Sequence, residues 1–274
     1  MNTGIILRND NGNDRRVEAL VSPEQGMTLQ SFRTNNIEVI AQRWFRPFCR
    51  FAGEGGPLIG PYFYRPEVSS PCEKNGHEQR IYAVAPKGSA YVPWHYENNG
   101  SRLCAMLCGA DRFNDRPLRD IHGGDFEFNI DFNLMEDSLR ISFEAQAEFL
   151  PSIGLWYHYA LPMGKGRLYL PIQNDTCQQD KLGTLPDYRI GNQGQMLDLV
   201  LDQSLDHVFP ICAGEIAMAT DIFFLRIIPE EGVRSLIVHH SSNDDLVCIA
   251  PTAGEKQLCH VQKIIVRLKT ELLN

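Results

Sequence analysis

Phe126-Glu127-Phe128-Asn129-Ile130-Asp131-Phe132-Asn133-Leu134 alternates apolar and polar residues without a break. That two-residue period is the mark of a strand with one face in a core and the other in water. Met135-Glu136-Asp137-Ser138 reads as a turn. Leu139, Ile141, Phe143, Ala145, Ala147 and Phe149 then alternate in the same way with Arg140, Ser142, Glu144, Gln146 and Glu148. The two stretches predict one long hairpin.

Outward from this hairpin, short apolar runs bounded by Gly, Pro, Asn or Asp recur at 38–40, 153–161, 167–172, 222–228, 235–239, 246–249 and 261–268. Almost nothing has helical period over ten residues, so the chain reads as all-β with many strands. Sandwiches of this length occur as one unit, and residues 1–274 are taken as a single domain. Segments 49–66, 72–90, 109–124 and 174–198 are rich in Gly, Pro and polar residues and read as long loops. Loops of that length are functional rims or surface excursions. No repeat of 20–50 residues and no heptad pattern is present, which removes solenoids, propellers and coiled coils.

The chain has 274 residues, 43% of them apolar, enough for a large core. Lys+Arg 26 against Asp+Glu 34 gives a net charge of −8, the wrong sign for a phosphate-backbone binder or an anionic lipid surface. The N-terminus is too polar for a signal-peptide core, and no run approaches the roughly 18 apolar residues of a membrane span. Eight cysteines (49, 72, 104, 108, 177, 212, 248, 259) are spread through a chain that needs no stapling. They read as reduced core thiols of a cytoplasmic protein.

Several chemistries fail on their motifs. Gly55 to Gly60 has the spacing of a phosphate loop but continues Pro61-Tyr62 where Lys-Ser/Thr is needed. Gly-x-Gly-x-x-Gly, His-Glu-x-x-His and Gly-x-Ser-x-Gly do not occur. His95-Tyr96-Glu97 has the His-x-Glu spacing of zinc deaminases without their Pro-Cys-x-x-Cys, the nearest thiol pair being Cys104 and Cys108. His239 and His240 lie near Cys248, Cys259 and His260, but adjacent strand residues point to opposite faces, so the two histidines read as structural. No metal and no cofactor is expected.

What remains is Arg65 after Tyr62-Phe63-Tyr64, Trp94-His95-Tyr96, Trp156-Tyr157-His158-Tyr159 and Asp206-His207. Carbohydrate sites use such mixtures, with aromatic rings under the sugar's C–H faces and polar groups on its hydroxyls. Each residue has a bland counterpart: a rim histidine at 95, a turn at His122, a loop histidine at His77, a surface pair of Arg65 with Glu67, a turn-capping Asp206, a core Trp156, a satisfied His158.

In order along the chain, these segments resemble the aldose 1-epimerase (galactose mutarotase-like) family. Val21 to Leu29 resembles its opening strand-turn-strand, and Gly60-Pro61-Tyr62-Phe63-Tyr64-Arg65 its sugar-contacting arginine segment. Pro93-Trp94-His95 falls at its first active-site histidine. The hairpin runs into Gly154-Leu155-Trp156-Tyr157-His158-Tyr159-Ala160-Leu161-Pro162, similar to "G-L-H-P-Y-F-x-L-P". Leu205 to Phe209 and Leu246 to Pro251 resemble the sugar-binding and late "V-C-I-E-P" segments. The resemblance spans roughly residues 17–270. It implies a large antiparallel β-supersandwich that interconverts aldose anomers, with an imidazole acid and a carboxylate base flanking the anomeric centre.

The chain departs from that pattern where the chemistry is done. The family's acid histidine falls on Trp156 and its base glutamate on Ala250, and neither can move a proton. His158, two along the strand and on the same face, is the candidate acid, displaced by roughly 6.5 to 7 Å. Glu255 is the candidate base and His95 a hydroxyl-binding electrophile. Arg65, His95, Trp156, His158 and Asp206 are the expected lining for a monosaccharide or sugar phosphate. Arg43, Arg46 and Arg50 are the candidate phosphate contacts, or else a solvated basic stretch. Each lost proton-transfer partner costs about 10²–10⁴-fold. A non-catalytic carbohydrate-binding or partner-binding sandwich is the alternative.

Overall fold

The structure, a computed structural model, describes residues 4–9, 17–41, 55–59, 92–113, 115–122, 124–150, 153–172, 189–190, 196–242, 245–253 and 259–273. The predicted hairpin is its centre. Strands Phe126–Leu134 and Ser138–Leu150 pair from Phe126↔Ala147 to Leu134↔Leu139, and the Met135 N–H closes the turn on the Ser138 carbonyl at 2.8 Å. Phe126, Phe128, Ile130, Phe132 and Leu134 are buried, with Leu139, Ile141, Phe143 and Ala145 opposite them. The alternation therefore faces as it reads.

The hairpin lies within a ten-stranded sheet. From edge to edge its strands are Arg189–Ile190, Met196–Val200, Arg167–Pro171, Ile216–Ala219, Phe223–Glu231, Cys259–Leu272, Ser138–Leu150, Phe126–Leu134, Arg102–Cys108 and His95–Asn98. A five-stranded sheet runs Leu205–Pro210, Ser235–His240, Leu246–Thr252, Ile153–Ala160 and Gly55–Ile59. Ile5–Arg8, Val17–Ser22, Thr28–Thr34 and Ile37–Glu38 make a four-stranded sheet. Every described strand pairing is antiparallel. One contiguous core takes in Phe32 of the four-stranded sheet, Phe128 and Phe143 of the ten-stranded sheet, and Tyr157 and Ile249 of the five-stranded sheet. The all-β, antiparallel expectation holds.

The polar half of the alternation forms ion pairs on the far face of the large sheet. Arg140 and Arg267 both reach Glu230, at 2.7 and 3.0 Å, and Lys269 meets Asp137 at 2.7 Å. Burial alone would push Asp137 up, but the Lys269 hydrogen bond is stronger and holds its carboxyl below the usual range. Two turns show the backbone chemistry. Asn35 and Asn36, at φ of 52° and 65°, link the paired Thr34 and Ile37 in the two-residue hairpin loop that demands positive φ. Gly232, at φ 74°, follows a register shift, and a Cβ there would sit 1.8 Å from the Lys263 carbonyl oxygen.

Some elements were not legible as strands. Gly55–Ile59 lies inside the expected loop 49–66, and the expected loop 109–124 holds the pair Arg112–Phe113 and Arg116–Pro117 and a short helix, Leu118–His122. His122 thus ends a helix instead of sitting in a turn. Strands Arg189–Ile190 and Met196–Val200 fall in or across the end of the expected loop 174–198. Arg102–Cys108 escapes the period-two test because its outward residues Cys104, Met106 and Cys108 are themselves only weakly polar. Cys248 is buried, whereas Cys104, Cys108 and Cys212 are partly exposed, and none of the four is bridged.

Candidate functional site

Register alone assembles the site on the five-stranded sheet. Asp206 pairs with His239, His239 with Cys248, and Cys248 with His158, so one rung across four strands holds these residues in line. On the next rung Val208 pairs with Ile237, Ile237 with Ala250, and Trp156 with Gly56. The flanking pairs Gly154↔Thr252 and Tyr157↔Ile249 place Trp156 directly across from Ala250. Trp156 and Ala250 are therefore cross-strand neighbours on one face. The ladder itself is interrupted at Leu155 and Trp156, opposite Pro251 and Ala250, because proline has no N–H to donate.

This face differs from the one behind it. Tyr157, Tyr159, Val238, Val247 and Ile249 belong to the contiguous core. Ile237, Cys248 and Ala250 are equally buried but lie outside that cluster. Around these floor residues stand half-buried Trp156 and His158 and exposed His239. Gly56 offers no side chain beside the indole. The five strands contain no Lys, Arg or Glu, and Asp206 is their one carboxylate.

Trp156 and His158 touch. The indole N–H donates to His158 Nε2 at 3.3 Å, and the rings meet edge-on at 81° with centroids 6.2 Å apart. The expected displacement of roughly two strand residues is what is seen. His239 and His240 divide as adjacent strand residues must: His239 is exposed on the Trp156 face, and His240 is buried behind it, paired through Nδ1 to the Leu246 carbonyl at 2.9 Å. The structural reading fits His240. His239 escaped sequence reasoning because Ser235 to His240 is a nearly continuous apolar run with no period to fix which residue faces out; only pairing to Cys248 resolves it.

His95 lies on the terminal strand of the ten-stranded sheet, exposed, its Nε2 2.6 Å from Asp111 Oδ1. Burial by itself would raise the Asp111 carboxyl, but hydrogen bonds from the Cys108 N–H, at 2.7 Å, and from His95 outweigh it and hold the group below the usual carboxylate range. Asp206 is placed by its backbone, on strand Leu205–Pro210 instead of in a turn. Arg65, Glu255, Arg43, Arg46, Arg50 and His77 lie outside the described residues. Among the described residues no group of three His, Cys, Asp or Glu side chains converges to hold a metal ion.

Behind the site, Tyr157 and Tyr159 point into the core, and their hydroxyls have no hydrogen-bond partner among the described residues. Burial pushes both phenols far above the ordinary tyrosine range, and at Tyr159 the neighbouring Tyr157 and Cys248 add to it. The folded chain therefore keeps both protons where the unfolded chain, ionising near pH 10, releases them. Stability is unaffected below about pH 10 and falls as pH rises above it, by up to about 1.4 kcal/mol per pH unit for each tyrosine. Urea unfolding at about pH 9 and about pH 11 measures this decline, which the paired change Tyr157→Phe, Tyr159→Phe is expected to reduce. An unchanged decline would place the phenols in water.

No protein-family model matches the chain, and no curated protein matches it in sequence. Solved structures do match in fold. The Slr1438 protein from Synechocystis sp. PCC 6803 superposes with a TM-score of 0.66 at 15% identity, over 100% of this chain and 97% of that one. A galactose mutarotase-like protein from Lactobacillus casei ATCC 334 gives 0.64 at 11%, over 98% and 100%. A galactose mutarotase related enzyme from Lactobacillus acidophilus gives 0.59 at 12%, over 99% and 98%. The chain has the galactose mutarotase-like fold, along essentially its whole length.

Proposed function

We propose that the Trp156 face of the five-stranded sheet binds a neutral monosaccharide and does little to interconvert its anomers. One observation carries this reading: a half-buried indole and imidazole in contact, standing over a floor of Ala250, Cys248 and Gly56, on the fold shared with mutarotase-like proteins. An aromatic ring beside small residues suits the C–H face of a sugar, and His158 and His239 suit its hydroxyls. Anomer exchange needs an acid and a base at the anomeric carbon. Trp156 and Ala250 supply neither, and a loss of about 10²–10⁴-fold for each leaves binding as the main property. In this reading residues 1–274 act as one domain in the cytosol.

A sugar phosphate is the less favoured ligand, since the five strands carry no cation and Arg43, Arg46, Arg50 and Arg65 would have to supply it. Protein resonances followed during titration with glucose, galactose and their 6-phosphates test the reading. The neutral sugars are expected to shift the indole resonance of Trp156, and Trp156→Ala to weaken binding by about 2- to 10-fold, the worth of an aromatic contact. Exchange between glucose anomers at micromolar protein is expected to stay near its rate in buffer. If no sugar shifts any resonance, the face is a partner-binding or filled surface instead.

A further inference from the structure

We propose that Trp156 is a positioning residue for His158, holding its imidazole in the neutral form with the proton on Nδ1. An indole has one polar hydrogen and no acceptor, so the only hydrogen bond it makes with a ring nitrogen is as donor. The 3.3 Å contact from the Trp156 N–H thus fixes His158 Nε2 as the acceptor, and the ring's single proton lies on Nδ1. Both side chains sit two apart on one face of strand Ile153–Ala160, and neither is free to swing as a surface rotamer would, since both are half-buried. In water an unconstrained neutral imidazole prefers the other form, with the proton on Nε2, so the fold selects the minor one.

The consequence for chemistry follows from the same bond. To act as an acid through Nε2, His158 would have to carry a proton there, and two N–H donors would then face each other. Trp156 therefore does more than vacate the acid position. It also opposes the nearest substitute acid, and a ligand on this face meets a neutral imidazole. The tautomer stands on the side-chain geometry alone; that the ligand is a sugar rests on the reading above.

Two-bond proton–nitrogen correlation spectra of the full chain, labelled with nitrogen-15 histidine, read the tautomer directly, with the His158 signals assigned by their loss in His158→Gln. At neutral to mildly alkaline pH, His158 is expected to show Nδ1 protonated and Nε2 bare. Trp156→Phe, which keeps the ring and removes the donor, is expected to raise the share of His158 with its proton on Nε2. A wild-type His158 with Nε2 protonated overturns the proposal, whether or not any variant folds. So does a folded Trp156→Phe protein, judged by its unchanged core signals, in which the pattern does not change. These spectra need no ligand. Adding glucose or galactose to the same samples tests the sugar reading separately, because an absence of sugar-induced shifts would defeat that reading while the tautomer is scored on its own signals.

Discussion

The paired change Trp156→His, Ala250→Glu is expected to raise the rate of glucose or galactose anomer exchange by about 10²–10⁴-fold for each proton-transfer group it supplies. Trp156 lies across from Ala250, between the cross-strand pairs Gly154↔Thr252 and Tyr157↔Ile249. Directly opposed residues of an antiparallel pair have Cβ atoms about 4.5–5.5 Å apart on the same face. An imidazole and a carboxylate placed there would flank one carbon of a sugar lying on the sheet. Ala250 is fully buried, so the new carboxyl would be partly desolvated and its pKa raised toward neutrality, which suits a base. The same burial costs stability, about 1–3 kcal/mol for the added volume, offset in part by replacing the larger indole. Either single variant supplies half of the machinery and is expected to gain far less. Saturation-transfer NMR on the anomeric protons measures the rate, and urea unfolding establishes that the variant is folded. A folded double variant no faster than buffer would mean that these two positions do not flank an anomeric centre.

The hairpin from Phe126 to Leu150 was legible because both strands keep strict alternation, and each inward residue found the core. Arg102–Cys108 and Gly55–Ile59 were not, for opposite reasons: in the first the outward residues are too apolar to show a period, and in the second Gly55, Gly56 and Pro57 read as turn chemistry although the segment pairs with Ile153–Tyr157. Within the site, the shared face of Trp156 and His158 follows from strand parity within one element and was legible. The rung that adds His239 and Cys248, and the opposition of Trp156 to Ala250, depend on pairing between strands that are far apart in the chain. No local pattern encodes that register. His95 shows the same limit from the other side, since its Pro-Trp-His context says nothing about which sheet the strand joins, and it joins the ten-stranded one.

Phe128→Ala is expected to destabilise the fold by about 3–5 kcal/mol and to lower the melting temperature by roughly 6–20 °C. Phe128 is 1% exposed and its ring lies 4.3 Å from Phe126, 6.3 Å from Phe143 and 6.5 Å from Trp94, centroid to centroid. These rings therefore join two strands and the segment that leads into the His95 edge strand. Its cross-strand neighbours are Leu107 and the small Ala145, which cannot fill the space a lost phenyl leaves. Asn129, the next residue, faces the other way and hydrogen-bonds Glu127 at 2.7 Å on the exposed face. Asn129→Ala is accordingly expected to change stability by no more than about 0.5 kcal/mol. Thermal and urea unfolding of the two variants side by side isolate the parity of the strand from its composition, since the mutated positions are adjacent. Similar losses in both would mean that the two faces of Phe126–Leu134 are not divided between core and water, and the register built outward from this hairpin would have to shift by one residue. A large loss confined to Phe128→Ala fixes that register, and with it the inward face of the strand that pairs with Arg102–Cys108 and through it with the strand carrying His95.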